Sequence, residues 1–132
     1  MTTAQIKTWA RLGEGRSVGY NPTAKEAFLK GARQFANEVV KRLGLGTADR
    51  KIHRNEGGVA VSGEVSVYTP HMYVCIEQSS CGGIYYRGCD HLGDNGARIR
   101  YPNQWITWNA VISDPDAVLD KMVQFYQQAT EE

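Results

Sequence analysis

Val59-Ala60-Val61-Ser62-Gly63-Glu64-Val65-Ser66-Val67-Tyr68-Thr69-Pro70-His71-Met72-Tyr73-Val74-Cys75-Ile76-Glu77 decides how this chain folds. Val59, Val61, Val65 and Val67 point one way, with Gly63 between them. Ala60, Ser62, Glu64, Ser66 and Tyr68 point the other way. A period of two is the signature of a half-buried strand. Thr69-Pro70-His71 reads as a turn. Met72, Val74 and Ile76 then alternate with Tyr73, Cys75 and Glu77, which predicts a second strand. The short link between the two makes the pair an antiparallel hairpin. Gly82-Gly83 predicts another turn, followed by a third strand over 84–87. A brief pairing over 98–101 and a last strand over 105–109 complete a sheet of four to five strands.

Upstream and downstream the period becomes helical. Phe28, Ala32, Phe35, Val39 and Leu43 step by four, three, four and four, one apolar stripe of a helix that Gly44 and Gly46 end. Thr23 with Glu26 predicts a capping box at its start. Ile6, Trp9 and Ala10 predict a short helix over 3–12. Asp114 and Pro115 predict the cap and first position of a final helix, whose apolar face runs from Val118 to Ala129. The expected fold class is α+β. It is a two-layer sandwich in which the N-terminal-region and C-terminal helices cover one face of the antiparallel sheet. The other face is expected to show Tyr68, Tyr73, Glu64 and Glu77, with Tyr85 and Arg87. One domain is expected over 1–132, with 1–22 loosely ordered and a frayed tail over 127–132.

Composition narrows the function. At 42% hydrophobic and 22% charged, the chain has enough apolar material to fold on its own core. It contains no run of apolar residues long enough for a membrane span, and Met1 to Lys7 lacks a signal-peptide stretch, so a cytoplasmic protein is expected. Three cysteines make a disulfide framework a poor reading. Charge divides by position. Residues 1–54 hold eleven Lys/Arg against four Asp/Glu, a net +7, and residues 55–132 hold four against ten, a net −6. Such polarity suggests contact with something acidic, or with another copy.

Motifs that carry chemistry are weak. Gly13, Gly15 and Gly19 have the wrong spacing for a phosphate loop. Cys75, Cys81, Cys89 and His91 have the residue types of a zinc site but lack its short Cys pair. Cys81 in a turn, with Asp90 and with His71 or His91 as base, is the one candidate thiol enzyme, and no helix N-terminus is expected beside it. The 90–101 loop lacks calcium ligands at its third and twelfth positions. Gly83-Ile84-Tyr85 lacks the second half of a GIY-YIG nuclease pattern. Arg50, Lys51, His53 and Arg54, extended by Arg16, Lys30, Arg33 and Lys41, form a basic run. Tyr68, Tyr73, Tyr85 and Tyr86 offer stacking surfaces, so nucleic acid is a possible partner. A pI near 7.7 is low for a dedicated binder. Asp90 and His91 in the polar loop, and Asn103 and Trp105 after it, are candidate contact residues, with Trp105 the natural anchor and Trp108 a core residue.

Asn55 to Val65 resembles a segment of small uncharacterised proteins of bacterial plasmids and phages, in which an Ala-Val-Ser-Gly-Glu-Val strand precedes a second strand and an Arg-containing third. Tyr73-Val74 and Tyr86-Arg87 fit that outline, so the resemblance covers residues 55–90. It implies an accessory protein that acts by binding a host protein. The expected function is therefore a non-enzymatic protein-binding accessory or inhibitor protein of a mobile genetic element, of the anti-defence or anti-CRISPR type. Its expected binding residues are Lys30, Arg33, Lys41, Arg50, Lys51, Arg54, Asp90, His91, Asn103 and Trp105. The alternatives are a nucleic-acid-binding module built on the basic N-terminal half and a cysteine-dependent enzyme. No cofactor, metal or membrane is expected, and a homodimer is possible.

Overall fold

The computed structural model describes residues 1–14, 21–57, 63–79, 82–89 and 99–130. Two helices come first, α1 (Thr3–Glu14) and α2 (Pro22–Arg42). A 3-10 turn at Thr47–Asp49 leads into five strands: β1 (Lys51–Asn55), β2 (Glu64–Tyr68), β3 (Met72–Ser79), β4 (Gly82–Cys89) and β5 (Ile99–Ile106). Two helices, α3 (Trp108–Ser113) and α4 (Pro115–Thr130), close the chain. The strands pair in sequence order, every pair antiparallel, as one up-and-down sheet.

The predicted alternation decides which way the sheet faces. Val65, Val67, Met72, Val74, Ile76, Ile84 and Tyr86 are buried in one cluster with Phe28, Leu29, Phe35 and Val40 of α2 and Leu119 and Met122 of α4. α2 lies over β1 and β2. α3 and α4 lie over β4, and α1 packs against α2 and α3 and reaches β3. All four described helices therefore share one side, and the α+β two-layer sandwich is the observed architecture.

Local chemistry moved several boundaries. The first residue of α2 is Pro22, and its cap is Asn21, whose Oδ1 accepts from the amides of Thr23 and Ala24 at 3.0 and 3.2 Å. The expected Thr23 cap is displaced because Asn21 in an extended conformation, with proline at the first helical position, starts the helix ahead of it. Residues 51–55, read in sequence as a basic run ahead of the sheet, form the edge strand β1. Gly82 and Gly83 belong to β4 rather than to a turn. The last strand ends at Ile106. Thr107 Oγ1 accepts from Ala110 N at 3.1 Å and starts a helix, so Trp108 is its first residue and not a strand residue. Val59 and Val61 lie outside the described residues, and β2 begins at Glu64.

Helices near both ends of the chain pack into the core. α1 buries Ile6, Trp9 and Ala10, and the Trp9 Nε1 donates to the Phe28 carbonyl at 2.9 Å inside the core. α4 runs through Thr130, with Ala129 buried and Asp114 Oδ1 accepting from Ala117 N at 3.1 Å at its other end. The helix layer is fastened to the sheet edge by Arg54, whose guanidinium reaches Glu26 of α2 and, at 2.8 Å, Glu56. Arg42 joins α2 to α4 through Asp116 at 2.9 Å.

Candidate functional site

The side of the sheet away from the helices is built in three rows, fixed by strand register. Lys51, Tyr68, Tyr73 and Arg87 are successive partners across β1 to β4. Two residues along each strand, His53, Ser66, Cys75, Tyr85 and Trp105 form a row across all five strands. Two further on, Asn55, Glu64 and Glu77 form a third. The face therefore runs from cationic, through aromatic and small polar groups, to anionic. Consecutive rows are separated by about 7 Å, two residues of extended chain.

Aromatic rings make this face continuous. Tyr68 and Tyr73 lie 5.1 Å apart between centroids, Tyr73 and Tyr85 6.1 Å, and Tyr85 and Trp105 4.8 Å. Arg87 lies over the Tyr73 ring at 4.7 Å, a cation–π contact that leaves its guanidinium edges available. The Ser66 and Tyr73 hydroxyls share a hydrogen bond at 3.0 Å. Trp105 is 52% exposed, the large hydrophobic residue that stands out to solvent at the end of the middle row. A tryptophan left in water beside an aromatic row is the pattern of a contact surface rather than of a core.

Electrostatics in the acidic row are strained. Glu64 and Glu77 are directly opposed across β2 and β3, a like-charge pairing that costs stability. Neither meets a cation among the described residues. Partial burial and the neighbouring Glu64 charge push the Glu77 carboxyl above its ordinary range. The Cys75 thiol is fully buried and donates to Glu64 Oε2 at 3.4 Å. Burial pushes it up to about 12, with the Glu64 and Glu77 charges adding to the shift and a hydrogen bond from Tyr85 opposing it. Burial likewise takes the Tyr73 hydroxyl to about 12.

A thiol held this way is a hydrogen-bond donor, not a nucleophile. At pH 8, on the order of one part in ten thousand of Cys75 is thiolate, so iodoacetamide leaves it unmodified in the folded protein and alkylates it in urea. Rapid native-state alkylation of Cys75, read by peptide mass spectrometry, would contradict this. The ligand atoms of Glu64, Cys75 and Glu77 lie within 4.8 Å of one another. Three ligands are one short of a structural zinc site. Of the sequence-derived cysteine set, Cys75 belongs to this group and Cys89 does not. Cys89 is buried four residues beyond Tyr85 on β4, with its thiol facing the Thr69 carbonyl at 4.0 Å. Cys81 and His91 lie outside the described residues.

The expected binding residues are spread over opposite sides of the molecule. Lys51, Asn103 and Trp105 are exposed, and Lys51 and Trp105 belong to the rows of the open face. Lys30, Arg33 and Lys41 are exposed on α2, in the helix layer, where Lys30 edges an open groove of about 410 Å³ floored by Trp9, Leu12 and Gly31. These three cations and the open sheet face cannot meet one flat partner together. Arg54 is not free to bind. Its hydrogen bonds to Glu26 and Glu56 hold it on the helix side, and they raise its own pKa while lowering that of Glu26. Arg50 is half-buried just ahead of β1. The basic run over 50–54 is thus divided by strand alternation and does not act as one patch. Tyr86, grouped in sequence with the stacking candidates, is a core residue at 1% exposure, with its ring edge-on to Phe125. Asp90 and His91 lie outside the described residues. The sequence did not single out Ser66, and offered Cys75 only as a zinc ligand, although the period of two already placed both between Tyr68, Tyr73 and Glu64 on the outer face.

No protein-family model, curated protein or solved structure significantly matches this chain. Among the described residues no helix is long and apolar enough to cross a membrane.

Proposed function

We propose that this chain is a non-enzymatic protein-binding protein, an accessory or inhibitor protein of a mobile genetic element that acts on a host protein in the cytoplasm. Its working surface is the open sheet face. One observation carries the reading: an unbroken line of Tyr68, Tyr73, Tyr85 and Trp105 on the side no described helix covers, ending in an exposed tryptophan. Rigid aromatic anchors of this kind supply large contact area at low entropic cost. Cys75, the thiol at the centre of this face, is protonated and donates to a carboxylate, so it adds a buried polar contact to the surface rather than a nucleophile.

Lys51 and Arg87 beside tyrosines support nucleic-acid binding as a second reading. The opposed Glu64–Glu77 pair in the same face counts against it, because phosphates would be repelled there. Affinity capture from a bacterial lysate separates the two. The tagged chain, a Tyr85→Ser/Trp105→Ser variant and a Lys30→Glu/Arg33→Glu/Lys41→Glu variant are compared, each with and without nuclease. The expected result is a protein that survives nuclease, is lost from the aromatic variant and is kept by the α2 variant. Loss only from the α2 variant would move the site to the helix layer. Loss on nuclease treatment would favour the nucleic-acid reading.

A further inference from the structure

The three rows of the open face have a symmetry property that comes from register alone. The cationic row (Lys51, Arg87) and the anionic row (Glu64, Glu77) are equally spaced on either side of the middle row. A two-fold axis laid along that middle row turns the face over and exchanges the two outer rows. Glu77 then faces the partner's Tyr73, one strand away from the partner's Arg87. Glu64 faces the partner's Tyr68, one strand away from the partner's Lys51. A lateral offset of one strand is about 4.8 Å, within reach of Arg and Lys side chains across sheets stacked about 10 Å apart. Trp105 lies in the row that becomes the axis, so its exposed ring meets its own copy.

We propose that the open sheet face is a self-complementary surface, and that the free chain pairs through it with a second copy as a two-fold dimer of stacked sheets. This rests on the reading of that face as the contact surface, and it names the first occupant. A host protein would have to displace the second copy. Two observations and one general tendency favour a second copy over a partner of one charge sign. The face carries both signs in opposed rows. Its acidic pair meets no cation among the described residues. Isologous pairing is also the commonest way for soluble proteins to oligomerise. Five strands by five residues give a face of about 24 by 17 Å, smaller than the roughly 800 Å² per partner of a standard interface. The dimer is therefore a weak one, in exchange with monomer at micromolar concentration.

The test is sedimentation velocity of the full chain from about 5 to 500 µM, a range chosen to bracket a weak interface. The wild type is expected to shift from the mass of one chain to that of two as concentration rises. Arg87→Glu and Glu77→Arg are each expected to move the midpoint at least about 30-fold upward, because each places two like-charged contacts in the symmetric dimer. An equimolar mixture of the two variants is expected to dimerise like wild type, since every outer contact in the mixed dimer is again between opposite charges. Trp105→Ala, a change at an exposed site, is expected to weaken the dimer about 10-fold with an unchanged thermal melt. A chain that remains monomeric throughout, or a dimer indifferent to both charge reversals, overturns the proposal. So does a mixture that fails to dimerise when both variants melt like wild type. Monomer at every concentration, with capture still abolished by Tyr85→Ser/Trp105→Ser, would remove the dimer and leave the binding surface intact. A charge-swappable dimer with capture unaffected would do the reverse.

Discussion

Trp108→Ala is expected to lower the unfolding free energy by about 3–5 kcal/mol, a large share of the 5–15 kcal/mol that holds a domain of this size together. Trp108 is buried at the junction of both ends of the chain with the sheet. Its ring stands edge-on to Trp9 at 5.1 Å and to Phe28 at 5.8 Å. It fits because Gly13 and Gly83 have no side chain. A Cβ built on Gly83 would lie 1.9 Å from the indole, and one on Gly13 would lie 2.4 Å from it. Removing the ring leaves a cavity bounded by the backbones of α1 and β4, which cannot collapse without moving those elements. The indole Nε1 is buried and has no hydrogen-bond partner among the described residues. Trp108→Phe therefore gives up volume but no hydrogen bond, and is expected to cost only about 1–2 kcal/mol. Urea unfolding followed by far-UV circular dichroism measures both, with the shift read at constant slope. An alanine variant within about 1 kcal/mol of wild type would mean that Trp108 does not join the helices to the sheet.

The same residue shows how far the sequence could be read. Val65, Val67, Val74 and Ile76 announce an inward strand face because the period of two is a direct consequence of backbone geometry, and it survives in the fold. Phe28, Phe35 and Val39 do the same for α2. Trp108 was legible as a core residue but not as helical. Its element is decided by a single hydroxyl, the Thr107 side chain capping a six-residue helix too short to show a periodicity. β1 was illegible for a related reason. Lys51-Ile52-His53-Arg54-Asn55 has one apolar residue in five, as an edge strand with one covered side needs little hydrophobicity. What makes it a strand is its pairing to β2 and the clasp from Arg54 to Glu26, both of which connect residues distant in sequence.

For the contact surface, alternation indicated which side chains share the outer face, but only register shows which are neighbours. Nothing in the order Glu64, Cys75, Glu77 says that the two carboxylates are directly opposed with the thiol against one of them. The electrostatic polarity of the sequence was visible, but not which of its charges the fold pairs with one another. Arg42 and Arg54 are consumed in joining α2 to α4 and β1 to α2. Lys30, Arg33 and Lys41 remain on the helix side, and the charges left on the sheet are redistributed into rows by pairing.

Gly63→Val is expected to destabilise the protein by roughly 2–4 kcal/mol and to act first on one edge of the sheet. Gly63 was readable as a residue inside a strand, since it sits in the alternating run. It is in fact the residue before β2, with φ at +75°. A residue with a side chain pays about 1–2 kcal/mol for that left-handed conformation, and a β-branched one tolerates it least. Space is short as well. A Cβ at this position would approach the Asn55 carbonyl oxygen to 2.7 Å and the Glu56 carbonyl oxygen to 3.1 Å. Those are backbone atoms at the end of β1, so relief comes by moving that strand end away from β2. Amide exchange over residues 51–55 is therefore expected to accelerate before global unfolding does, while β3 and β4 remain protected. Gly63→Ala should take the same course with a smaller loss. Because β1 contributes Lys51 and His53 to the open face, the valine variant should also weaken contacts made by that corner while leaving the Tyr85–Trp105 end in place. Unchanged exchange over 51–55 in a valine variant of wild-type stability would show that neither the backbone conformation nor the close approach at Gly63 holds this edge.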